Sequence, residues 1–184
     1  MPILRQSCAF RTVARTFVRK VCLDSAQLVA RRVLTWATPL VASLVFVAAG
    51  ESATLTHSEA SILSAMNAVR AEHGLAPLRV DSRLEGAARR HSRRMLRTGT
   101  FFHGAFVARI RGAGVRAPRI GENLAWAQGG LSLARTIVNL WLASPAHRAN
   151  LLHAGYRTVG VAAPRGPFAG HPSVSMITTD FAGY

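Results

Sequence analysis

Lysine is almost absent from this 184-residue chain: Lys20 stands alone beside 22 arginines, and acids number only eight, which leaves a formal charge of +15. Such an imbalance favours anionic partners such as nucleic acid, phospholipid headgroups or acidic envelope polymers. An arginine- and alanine-heavy chain also follows from the base composition of a genome, so charge alone does not choose. Cysteine is missing wherever a domain has room to form. Cys8 and Cys22 both precede the one long apolar run, which excludes a disulfide framework, a thiolate metal site and a cysteine nucleophile from everything after it. Aromatics make up 7% of the residues, and no stacking cluster or nucleic-acid motif stands beside the arginines, which argues against nucleic acid as the partner. What is present, 49% hydrophobic against 17% charged residues, suffices to bury a core and excludes wholesale disorder. The length suits one domain plus a leader.

Residues 33–49, VLTWATPLVASLVFVAA, carry no charge, follow Arg31-Arg32 and precede the polar Gly50-Glu51-Ser52. The run is longer than an ordinary signal-peptide core and shorter than a typical spanning helix, and Val47-Ala48-Ala49 offers small residues to a signal peptidase. The arginines before it place its N-terminal side in the cytoplasm. Residues 33–50 are therefore expected to be a signal peptide cut after Ala49, giving a secreted or periplasmic product. The alternative is an anchor in the cytoplasmic membrane formed by residues 33–49. No cysteine follows the run closely, so no lipoprotein anchor is indicated. Residues 1–32, a basic extension, are long for a signal n-region. They point to a start site placed too far upstream, or to a twin-arginine signal at Arg31-Arg32-Val33-Leu34.

Beyond the leader the pattern turns helical. Ser58-Glu59 opens a helix with apolar Ile62, Leu63, Met66 and Val69, stopped at Gly74. Asp81 caps a second helix with an inward stripe of Leu84, Ala87, Ala88, His91 and Met95, stopped at Gly99. Arg89, Arg90, Arg93, Arg94 and Arg97 take its other side, where like charges at helical spacing repel. That side is either an ordinary solvated face or the mark of an anionic neighbour. Residues 109–119 read as a loop or a fraying helix, Ile120 to Trp126 as a short strand or turn, and Leu131 to Leu142 as a helix. Thr158–Ala162 and Ser173–Phe181 read as strands joined by a hairpin loop from Pro164 to Pro172. Helices first and an antiparallel hairpin last predict an α+β fold.

Four ordered segments carry a resemblance. Asn67-Ala68-Val69-Arg70 with His73-Gly74-Leu75 comes first, then Phe101-Phe102-His103, then Gly121-Glu122-Asn123-Leu124-Ala125, then residues 141–152, WLASPAHRANLL. The series resembles the bacterial branch of the CAP superfamily (SCP-like, related to the allergen V5/Tpx-1 and pathogenesis-related-1 proteins) over roughly residues 60–182, within an expected domain of 58–184. The resemblance implies a three-layer α-β-α sandwich with a small antiparallel sheet and a cleft of two histidines and two acids. Carried over by motif, the histidines are His103 and His147 and the first acid is Glu122. The second acid, three residues after the tryptophan in many eukaryotic members, falls here on Ser144. Asn123, Trp141, Arg148 and Asn150 are the expected supporting residues, the last two tying the loop that follows.

His103, His147 and Glu122 offer nitrogen, nitrogen and oxygen ligands to Zn²⁺ or another divalent cation, with an open position for water. Their spread over 45 positions is no compact ligand signature. Ser144 and Pro145 equally suit a helix N-cap and first helical position, and Glu122 equally suits a buried acid satisfied by backbone N–H groups and a histidine. His91 reads as a core histidine. Two functions follow from the resemblance. One is a non-catalytic binding module of the envelope or extracellular space, engaging a polymer, lipid or protein. The other is a hydrolase using metal-activated water or a Ser144–His147 pair, for which no oxyanion hole or base-orienting group is visible. The missing second acid tilts the expectation away from an enzyme, and no residue is assigned a catalytic role.

Overall fold

A computed structural model describes residues 54–128 and 133–184, so the expected leader and its arginines lie outside the described residues. Residues 51–184 form one compact unit. Among the described residues its three apolar clusters lie within residues 62–182, a core of the unit's own on which it can fold as a domain.

The first helix, α1 (His57–Glu72), is capped by Thr56 and not by the expected Ser58. The Thr56 hydroxyl accepts from the Glu59 N–H at 3.4 Å and the Glu59 carboxylate accepts from the Thr56 N–H at 2.8 Å. This reciprocal pair satisfies two of the amides that a helix start leaves free. A two-residue strand, β1 (Arg79–Val80), leads into α2 (Ser82–Thr98), where Asp81 accepts from the amides of Arg83 and Leu84 and Gly99 closes the helix in the left-handed region, as expected. Then come α3 (Phe106–Gly112), β2 (Arg119–Ala127), α4 (Leu133–Ala143) and α5 (Pro145–Leu151). The chain ends in β3 (Thr158–Ala162), β4 (Arg165–Phe168) and β5 (His171–Gly183).

Two readings need correcting. The stretch taken for a short strand or turn is a nine-residue strand, β2, paired with β5 along its whole length. The hairpin loop of 164–172 contains β4, which folds back onto β5 through a tight turn with positive φ at Ala169 and Gly170. The sheet runs β1-β3-β5-β2, with β4 also on β5. It is antiparallel except for β1, which lies parallel to β3.

Strand β5 is buried on both faces, and its alternation divides the core into layers. Ile177 and Phe181 join Ile62, Met66, Ile137, Val138, Trp141 and Leu151 of α1, α4 and α5. On the opposite face Ala182 meets Leu84 and Ile110, while Met176 meets Met95 and Leu124. The result is a helix–sheet–helix sandwich, with α1, α4 and α5 on one side and α2 and α3 on the other. The approach of α2 to β3 is so close that a Cβ at Gly160 would lie 2.1 Å from the backbone carbon of Leu84. Only glycine permits that contact. The fully buried Arg70 donates to the carbonyls of Ala76, Leu151, His153 and Tyr156, which fixes the end of α5 against the end of α1.

Candidate functional site

Strand register creates the floor of the site. Glu122 of β2 lies directly opposite Asp180 of β5, so both carboxyl groups stand on the α2/α3 face of the sheet. Their side chains are 2% and 0% exposed. One guanidinium serves both: Arg109 of α3 donates to a Glu122 oxygen and, at 3.2 Å, to Asp180 Oδ1. The second Glu122 oxygen meets His103 Nδ1 at 2.7 Å. Arg109 also donates to the His103 carbonyl at 3.1 Å, holding the residue whose side chain is 59% exposed at the surface. His91 enters from α2. It is buried, bonds the Phe102 carbonyl through Nε2 at 2.8 Å and stands 4.0 Å from Glu122, so the expected core histidine borders the site.

The other layer supplies His147. Asn123, next along β2 and facing the opposite way from Glu122, donates to the His147 carbonyl at 3.0 Å. Asn150 donates to the Glu122 carbonyl and to Asn123 Oδ1, each at 3.0 Å, and the Trp141 indole N–H donates to the Leu124 carbonyl at 3.2 Å. Side chains from α4 and α5 thus satisfy carbonyls of β2, an edge strand of the sheet. Ser144 occupies the N-cap position of α5 with Pro145 at its start, yet its hydroxyl makes no capping hydrogen bond. Arg148 departs from expectation: its side chain is exposed and ties no loop among the described residues.

Burial, reinforced by Arg109, pushes His91 below the usual histidine pKa; burial, reinforced by His103, does the same to His147. Both rings are held toward the neutral form. Asp180 is shifted the other way, well above the ordinary aspartate value, first by burial and then by Glu122 across the strand pair. Two facing carboxyl groups with one guanidinium between them cannot both ionise cheaply, and Asp180 is the member driven toward the neutral acid.

Arg109 and Asp180 were not among the residues expected from sequence, and together they change the chemistry. Among the described residues no three histidine or carboxylate side chains are placed to hold one metal ion. The three-ligand arrangement expected of His103, Glu122 and His147 does not form, because Glu122 is engaged by His103 and by a guanidinium that repels a cation. A Ser144–His147 pair fares no better, since no hydrogen bond joins the two side chains among the described residues, and nucleophilic activation requires one.

A helix–sheet–helix sandwich with two histidines and a buried glutamate gathered along β2 defines a CAP-type domain. The chain belongs to the CAP, or cysteine-rich secretory protein, family, whose profile matches residues 63–171. The uncharacterized protein YkwD of Bacillus subtilis (strain 168) is 30% identical over 108 residues, covering 56% of this chain and 41% of YkwD. The chain therefore spans about two fifths of that relative's length. Among solved structures, an extracellular protein containing an SCP domain from Bacillus anthracis is 26% identical with a TM-score of 0.56, over 72% of this chain and 45% of that one. An outer surface protein of Borrelia burgdorferi shares the fold at 21% identity and a TM-score of 0.58, over 68% of this chain and 92% of that one.

Proposed function

We propose that residues 51–184 act outside the cytoplasm as a non-catalytic binding module whose cleft, marked by His103 and His147, engages an envelope polymer, lipid or protein. Export is supported by the uncharged run of residues 33–49 behind Arg31-Arg32 and by the likeness to an extracellular SCP-domain protein. The observation that carries the binding reading is the occupation of Glu122. Its oxygens are spent on Arg109 and His103, so it is no free base for water, and Asp180, held toward the neutral acid, is no substitute. What remains accessible is the exposed His103 and the half-buried His147 over a rigid floor, a surface suited to recognition through hydrogen bonds and stacking.

Calorimetric titration of residues 51–184 with zinc near neutral pH separates this reading from the hydrolase. The parent is expected to show no saturable zinc binding, while it sediments with isolated cell-envelope material and does so more weakly, at a salt concentration that screens its surface arginines, when His103→Ala and His147→Ala are combined. Saturable one-to-one zinc binding abolished by either substitution would instead make the histidine pair a metal site and direct the search to hydrolysable substrates. For export, fractionation of expressing cells should find the mature product outside the cytoplasm, beginning near Gly50; an unprocessed cytoplasmic product overturns that part.

A further inference from the structure

Of the six acids among the described residues, five are spent inside the domain or on a neighbouring arginine, and only Glu72, at the end of α1, stands exposed without an ion pair. Glu59, Glu85, Glu122 and Asp180 are buried, and Asp81 is paired with Arg83. The arginines of α2 take the opposite course. Arg89 turns inward to Glu59 and Glu85, at 3.1 and 2.5 Å. Arg90, Arg93, Arg94 and Arg97 are exposed and meet no carboxylate among the described residues. They form one continuous outer face, since the buried side of the helix is Leu84, Ala87, Ala88, His91 and Met95. Two of the four are laid down on the surface: Arg94 stands over the Phe102 ring at 5.6 Å, and Arg90 Nη1 rests 3.2 Å from where a Cβ of Gly86 would sit. Arg93 and Arg97 lie one turn apart, about 6 Å along the axis, and the whole row spans about 10 Å.

We propose that this outer face of α2 is a docking surface for a linear phosphate polymer, a flexible chain with a negative charge at each repeat. Planar guanidinium forks match phosphate oxygens in pairs. A row of such forks at turn spacing meets successive phosphates of one chain, which is the charge complementarity that the missing acids leave open. A bilayer is the poorer fit. Insertion at a lipid surface needs an apolar face, and the apolar side of α2 is consumed by the core. Single-stranded nucleic acid is also the poorer fit, because its bases need free aromatic platforms and the Phe102 ring is covered by Arg94. The surface stands on α2 and is independent of the cleft histidines.

The test uses residues 51–184 and long-chain inorganic polyphosphate, with affinity followed against salt. The parent should bind, and combining Arg90→Gln, Arg93→Gln and Arg97→Gln should weaken binding at least about tenfold and lower the salt slope by about 2. The equally discharged control, Arg79→Gln with Arg119→Gln and Arg135→Gln, removes exposed arginines elsewhere and should change affinity by less than about threefold. Combined His103→Ala and His147→Ala should leave binding intact. Circular dichroism establishes that each variant is folded. Failure of the parent to bind, or equal losses in the two arginine variants, overturns the proposal. So does dependence on the histidines, or tighter binding to polyglutamate, oligothymidylate or phosphatidylglycerol vesicles than to polyphosphate.

Discussion

Arg109 reaches from α3 to both Glu122 and Asp180, so removing its guanidinium leaves two buried carboxyl groups facing each other without a counter-charge. Breaking a buried ion pair from one side costs about 3 to 5 kcal/mol. Arg109→Met should show a loss of that size in urea unfolding, and adding Asp180→Asn should recover part of it; no loss would mean that the guanidinium is dispensable to the floor. The two kinds of shifted group respond to pH in opposite senses. Asp180, raised in the folded state, takes up a proton on folding, so its contribution is complete below about pH 4 and is lost as pH rises through its folded-state value. His91 and His147, lowered by burial, contribute fully above about pH 6.5 and lose that contribution as pH falls. Stability measured across pH should therefore flatten on the alkaline side in Asp180→Asn and on the acid side in His91→Gln combined with His147→Gln. Profiles parallel to the parent would sink these assignments. Neither Arg109 nor Asp180 was legible in the sequence as a site residue, because what joins them to Glu122 is strand register and the seat of α3. The signal that existed was weak: Asp180 is the one acid in thirteen residues of a strand that is buried from Val174 onward.

At the scale of elements, the cleft depends on α5 staying seated on β2, and Asn150 makes two of the contacts that seat it. Asn150→Ala leaves the Glu122 carbonyl and Asn123 without their donor, at about 1 to 3 kcal/mol. The same change frees the segment that carries His147. Expected is a lowered melting temperature together with faster amide exchange in residues 145–151, and unaltered exchange there would show that Arg70 and Asn123, which donate to the Leu151 and His147 carbonyls, hold α5 without Asn150. The helices themselves were readable because caps and apolar spacing are local: Asp81, Gly74 and Gly99 mark ends without reference to the rest of the chain. Thr56 was missed in favour of Ser58, since either hydroxyl lies within reach of a helix start and only the reciprocal bond with Glu59 distinguishes them. Strands β1 and β4 escaped because each is too short to show alternation and is defined by the strand it pairs with. Pro167 within β4 further disguised it.

At the scale of the whole domain, a fold that buries four of its six described acids and displays most of its arginines carries a standing repulsion, concentrated on α2. Arg90 faces Arg93 and Arg94, and Arg97 faces the same two, at three- and four-residue spacing along the helix. Each like-charge pair of this kind costs about 0.2 to 0.5 kcal/mol, so the four together cost roughly 1 to 2 kcal/mol at low ionic strength. Salt screens exposed charges, because the Debye length falls to about 10 Å at 0.1 M. The melting temperature of residues 51–184 should accordingly rise with sodium chloride. Combining Arg90→Gln, Arg93→Gln and Arg97→Gln removes every one of the four pairs, and glutamine is nearly as good a helix former as arginine. That variant should melt higher than the parent at low salt and converge with it at high salt. The opposite result, a variant less stable at every salt concentration, would show that the arginine stems stabilise α2 by packing along its surface, outweighing the repulsion of their charges.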